Sequence, residues 1–147
     1  MDEYEKYEIE CEKRKEENHI YLNGFTRYLE LKKLSQKTID KHVRNIDFYI
    51  NDFLLYESPQ KAAEGINELN YFLGYWFIKK AMWASATTIK ENCTSLKHFY
   101  SYMNQIGQVS DEALSAMKGE IKESKDEWIE TVQKYDDPDI DLEEVWG

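Results

Sequence analysis

The sequence is poor in the residues that interrupt helices. It has two prolines, Pro59 and Pro138, and six glycines in 147 residues, so long helical segments meet few breaks. Strands are excluded by a second lack: no run alternates apolar and polar residues with β-branched enrichment and turn residues at its ends. Cysteine is scarce too. Cys11 and Cys93 lie far apart and outside any C-x-x-C or Cys/His cluster, which argues against a disulfide framework or structural zinc; both are expected as reduced thiols. The longest uninterrupted apolar run, Tyr71 to Ile78, contains a glycine and falls well short of the roughly 18 residues that a membrane span needs. The opening Met-Asp-Glu-Tyr-Glu-Lys has no apolar core followed by a small-residue cleavage site, so no secretion signal, no membrane partner and a cytoplasmic location are expected.

What is present is apolar and aromatic material for one core, 41% and 14% of the residues, in a chain sized for one domain. The formal net charge of -10 is unevenly placed. Met1 to Gly24 carries -4, Phe25 to Asn104 carries +3, and Gln105 to Gly147 carries -9. Net charge governs solubility, whereas a local cluster of cations governs a contact, so a polyanion partner for the middle segment is compatible with the acidic total.

The periodicity predicts an all-helical chain. Residues 3 to 18 are nearly all charged and read as a helical extension (1–18) leading into a helix over His19 to Lys32, whose apolar members are Ile20, Phe25, Tyr28, Leu29 and Leu31. Ser35 is a good N-cap for a second helix. Its stripe is Ile39, Val43, Ile46, Tyr49, Ile50 and Phe53, at steps of three and four; burying these six is worth roughly 1.5–3 kcal/mol each before ordering entropy, so this face is core. Ser58-Pro59 ends the segment, and a third helix follows over about Asn67 to Met82. Its aromatic run YFLGYWF reads as core in preference to a base-stacking surface. Ser85 opens a fourth helix with Ile89, Cys93, Leu96, Phe99, Tyr100 and Met103 as its stripe, Gly107 stops it, and Ser110 opens a fifth that runs to about Tyr135. Sliding the chain by 50 residues superposes the second and fourth helices, Ser35 on Ser85, Thr38 on Thr88 and Ile39 on Ile89, a pseudo-repeat of helical hairpins. Residues 136 to 147 read as a flexible acidic tail, either inert or using Leu142, Val145 and Trp146 to dock a partner, or folding its carboxylates over the basic segment.

The segments RYLELKKLSQKTIDKHVRNIDFYINDF and SATTIKENCTSLKHFYSYM resemble the amino-terminal core-binding (SAM-like) domain of the tyrosine recombinases, the phage-integrase family. The likeness covers about residues 19 to 108. It rests on the Leu-Ser-x-x-Thr-Ile opening at Leu34, Ser35, Thr38 and Ile39, the second Thr-Ile opening at Thr88 and Ile89, and the finish Leu96, Lys97, Phe99, Tyr100. It implies a four-helix orthogonal bundle, here with an added C-terminal helix (109–135) and the N-terminal extension, clamping one face of double-stranded DNA. The positions it carries over are Lys33, Lys37, Lys41 and Arg44 around the second helix and Thr87, Lys90 and Lys97 on the fourth. Independently, residues 37, 41 and 44 share a face off the apolar stripe, where cations can meet phosphates and an arginine can reach guanine.

The catalytic part of that family is lacking. Strand cleavage needs a positioned nucleophile and cations around the phosphate in flight, but His42 precedes Arg44 by only two residues and no arginine follows it. No enzyme activity of that kind, no cofactor and no metal site are expected. His19, His42 and His98 stand at no ligand spacing, and the terminal carboxylates lie in exposed runs that read as solubilising. The leading expectation is a non-catalytic DNA-binding accessory factor of a mobile element. Its rival is a protein-interaction module that uses the acidic helix and tail.

Overall fold

The structure, a computed structural model, describes residues 1–146; among them there are helices and turns and no strand, so the chain is all-α. α1 runs unbroken over Glu3–Leu31, about 43 Å at 1.5 Å per residue. The expected boundary between an extension and the first helix of the domain is not a break. Asp2 caps the helix by accepting from the Glu5 amide at 2.8 Å, and ion pairs such as Arg14–Glu17 at 3.0 Å lace its charged half. The inward line of α1 is Cys11, Asn18, Phe25 and Leu29, spaced by seven, seven and four. Ile20 and Leu31, read as part of the apolar set, are 70% and 65% exposed. The polar Asn18 is why the line is hard to see; its amide donates to the Ile50 carbonyl at 3.2 Å and to Asn51 Oδ1 at 2.8 Å.

α2 spans Gln36–Asp47 and continues into a π-helical turn, Phe48–Phe53. Ser35 Oγ accepts from the Thr38 amide at 3.2 Å, the expected cap. The stripe from Ile39 to Phe53 is buried apart from Val43, which is half-buried. A 3-10 turn, Ala62–Asn67, leads to a helical rod in three parts: α3 (Leu69–Tyr71), a second π-helical turn (Phe72–Trp76) and α4 (Phe77–Lys80). The widened hydrogen bonding is explicit: the Leu54 amide donates to the Tyr49 carbonyl and Phe77 to Phe72, each five residues back. Such turns are rare and occur mostly as single inserts in α-helices. The two π turns face each other through aromatic rings, with centroids 4.8 Å apart for Tyr49–Phe72 and for Phe53–Phe72.

α5 (Ala86–Gln105) starts with a reciprocal cap: Ser85 Oγ accepts from the Thr88 amide at 3.1 Å and Thr88 Oγ1 accepts from the Ser85 amide at 2.8 Å. It stops where expected, at Gly107 with φ +80°, a conformation open to glycine at little cost. Gly24 on α1 lets α5 approach, since a Cβ there would lie 1.9 Å from the Tyr102 hydroxyl. α6 (Asp111–Asp136) packs along α5 and buries Met117, Ile121, Trp128 and Val132. Two fully buried tyrosines close the core by donating to the 3-10 turn, Tyr49 to the Gly65 carbonyl at 2.5 Å and Tyr100 to Ala62 at 2.8 Å.

The tail read as flexible over residues 136 to 147 is folded back instead, apart from Gly147, which lies outside the described residues. α7 (Leu142–Trp146) sits on α6 and buries Val145. Trp146 Nε1 donates to the Gly74 carbonyl at 2.7 Å, and its ring meets Tyr75 and Tyr135 at 4.9 and 5.6 Å. Two of the three residues offered for partner docking thus have an intramolecular seat, Trp146 on the second π turn and Val145 buried in α7 beside α6; Leu142 is 58% exposed.

Candidate nucleic-acid interface

α2 and α5 are brought together through a buried polar seam. His42 Nδ1 lies 2.6 Å from Ser95 Oγ, and Asn45 Nδ2 donates to the same oxygen at 3.0 Å. The Ser95 hydroxyl, with one proton and two lone pairs, can serve both partners at once. Burial first, then His98 at a ring distance of 5.1 Å and Lys41, push the His42 pKa down to about 4. Burial also lowers His98, with Lys32 and Lys97 acting in the same direction. Ser95 is fully buried, so this serine–histidine contact has no route to a substrate and works as a pin between helices.

Around that seam stand the predicted cations. Lys33 lies in the turn before Ser35 with a left-handed φ of 62°. Lys37 and Arg44 are exposed and Lys41 is half-buried, all three on the outward face of α2. Lys41 and Arg44 border an open groove of about 500 Å³ with Asn45, Phe48, Trp83 and Thr88. That groove is not purely basic. Asp47, Asp52 and Glu91 also line it, and Glu91 pairs with Lys41 at 3.8 Å.

On α5 the single expected island splits. Glu91, Ser95 and His98 face α2, whereas Lys90 and Lys97 share the neighbouring face, about 100° around the helix from Glu91 at 3.6 residues per turn. Lys97 lies on the side of Cys93, where with Lys125 it opposes the burial that pushes that thiol up to about 11. Thr87 is exposed, and the adjacent Thr88 is committed to the cap. Lys37, Lys41 and Arg44 therefore form one group, Lys90 and Lys97 a second. The reading of the sequence missed His42, Asn45 and Ser95, although the steps of three and seven from 42 to 45 and from 42 to 49 place 42 beside the apolar stripe. It also missed Glu91, whose position fifty residues after Lys41 was visible in the pseudo-repeat.

The fold and this face together define an all-α bundle with a mixed-charge, cation-rich surface across two helices. No protein-family model, no curated protein and no solved structure matches the chain. The likeness to the integrase core-binding domain rests on its three short sequence motifs alone.

Proposed function

We propose that the chain is a non-catalytic binder of double-stranded DNA, an accessory factor that sets the outward face of α2 and the adjoining flank of α5 against phosphates. One observation carries the reading. Among the described residues, Lys33, Lys37, Arg44, Lys90 and Lys97 have no carboxylate within 4.0 Å, while all ion pairs but Lys41–Glu91 lie within α1 or α6. Lys32 to Asp47 and α5 together hold seven cations against three carboxylates, leaving 12 of the 19 cations and 26 of the 29 carboxylates elsewhere. The acidic remainder repels the same polyanion, which orients the contact as well as weakening it.

Binding to generic duplex across a salt series tests this. Four to six cations, some partly engaged, give a log–log slope of roughly -3 to -5. Lys41→Glu with Arg44→Glu abolishes binding, and Glu91→Gln, which frees Lys41, strengthens it a few-fold. Absence of binding at low salt, or binding that ignores the double reversal, refutes the reading.

The carboxylates in the groove favour a second reading, a protein-interaction module. Met82 and Trp83 beside it are 99% and 56% exposed, and α6 adds an acidic outer surface. A partner captured from the native host with undiminished yield after nuclease treatment supports that reading over DNA.

A further inference from the structure

The two π-helical turns end beside one another, and there they leave a cavity of about 220 Å³. Its walls are aromatic: Phe53 from the end of the first π turn, Trp76 from the end of the second, and Tyr56 and Tyr71 from the chain beside them. The rings meet at corners. Phe53 and Trp76 are 5.1 Å apart at 63°, and Tyr56 and Trp76 are 5.5 Å apart at 70°. Phe53 and Trp76 are each 6% exposed, while Tyr56 and Tyr71 are 54% and 42% exposed, so two walls are fixed by the core and two open to solvent. Trp76 Nε1 is buried without an acceptor, so packing alone sets its indole. The loop that carries Tyr56 is pinned behind it, the Gln60 amide donating to the carbonyls of Leu54 at 3.0 Å and Ser58 at 2.8 Å.

Two carboxylates complete the lining, Glu57 and Glu68, and neither is in an ion pair among the described residues. A pocket with this charge rejects anions. Aromatic faces attract cations through the ring quadrupole, most strongly cations with little hydration to lose. A bare ammonium is strongly hydrated and keeps its water; a trimethylated one has weak hydration and an apolar surface that fits aromatic walls. The cluster already attracts a cation of its own, since Lys80 Nζ lies 5.1 Å from the Tyr56 centroid and 3.3 Å from its hydroxyl. The volume lies below the roughly 300–1,000 Å³ of pockets that enclose drug-sized ligands, which suits a head group.

We propose that this cavity binds a quaternary ammonium group, with Phe53, Tyr56, Tyr71 and Trp76 as the cage and Glu57 and Glu68 supplying the counter-charge. The site does not depend on the DNA reading. Phe53 lies nine residues beyond Arg44, at the far end of the π-helical turn.

The test is calorimetric titration of the full chain with tetramethylammonium, choline and free Nε-trimethyllysine, beside 3,3-dimethylbutanol, the uncharged isostere of choline. The cations bind and the isostere binds at least about tenfold more weakly; the tighter of choline and trimethyllysine identifies the source of the group. Tyr71→Leu weakens binding roughly threefold to thirtyfold, the range of a cation–aromatic contact from exposed to desolvated. Glu57→Gln with Glu68→Gln, two changes outside the core, weakens it several-fold and leaves helicity intact. Equal binding of the isostere, no heat with any cation, or indifference to both variants overturns the proposal.

Discussion

Between Gln36 and Asp47 the helix that follows Ser35 is regular, points Lys37, Lys41 and Arg44 outward, and meets α5 through the hydrogen bonds of His42, Asn45 and Ser95. Between Phe48 and Phe53 the same rod is π-helical and meets the second π turn through rings. A continuous backbone thus serves two kinds of contact, and the change falls where the hydrogen bonding widens. In the first half a side chain acts through charge and through what it can pair with. In the second, the extra residue in the turn re-aims the rings that follow, so that shape and aromatic surface decide. The candidate phosphate face belongs to the first half and the aromatic cage to the end of the second.

The contrast is broken most severely at Phe72. Its ring meets those of Phe48, Tyr49, Phe53, Trp76 and Phe77 at 6.3 Å or less, and it is fully buried. Phe72→Ala should cost about 3–5 kcal/mol in urea unfolding, whereas Lys37→Ala on the outward face of α2 should change stability by less than about 0.5 kcal/mol. Comparable losses from the two would mean that the π turns do not organise the core.

The next effect is on pH and belongs to the polar seam. Unfolded, His42 takes a proton near its ordinary value of 6.5; folded, it resists until about 4. As pH falls from about 6.5 to 4, the unfolded state gains a proton that the native state refuses, so stability falls over that window and is flat with respect to this residue above it. At about 1.4 kcal/mol per pKa unit the loss is on the order of 3 kcal/mol. The lowered His98 acts with the same sign. Urea midpoints at pH 4.5 and 7.5 should differ markedly in the natural chain and much less in His42→Leu; an unchanged difference would remove the seam from the acid response.

These two halves were not equally legible from the sequence. The caps at Ser35 and Ser85, the stop at Gly107 and the stripes from Ile39 to Phe53 and from Ile89 to Met103 follow from local chemistry, because each is a matter of spacing within a few turns. The π turns are not local in that sense. A single added residue leaves the apolar pattern almost unchanged, and rings on both rods are needed to make sense of it. Asn18 and His42 were illegible for another reason: each is polar and buried, and its partner, Ile50 or Ser95, lies 32 or 53 residues away. Of the candidate site, the cations of α2 were foreseen as one face, whereas the Glu91 partner of Lys41 and the turning away of Lys90 and Lys97 depend on how α5 packs. The tail defeated composition altogether, since one tryptophan and one valine outweigh its carboxylates once Gly74 offers a carbonyl.

The smallest expected effect lies at the joint that leads into the first half. Lys33 holds φ 62°, a left-handed conformation that costs an L-residue roughly 1–2 kcal/mol, while its amide donates to the Glu30 carbonyl at 2.9 Å to close α1. Glycine takes this conformation freely but has more entropy to lose on folding. Lys33→Gly should therefore raise stability by about 0.5–1 kcal/mol, read as a shift of the urea midpoint at constant slope. The same change deletes one of the cations assigned to the phosphate face, so the salt slope for duplex should become shallower by slightly less than one. A variant that gains stability while keeping its salt slope would place Lys33 in the turn for its backbone alone, and would shift the DNA contact onto Lys37, Arg44 and the flank of α5.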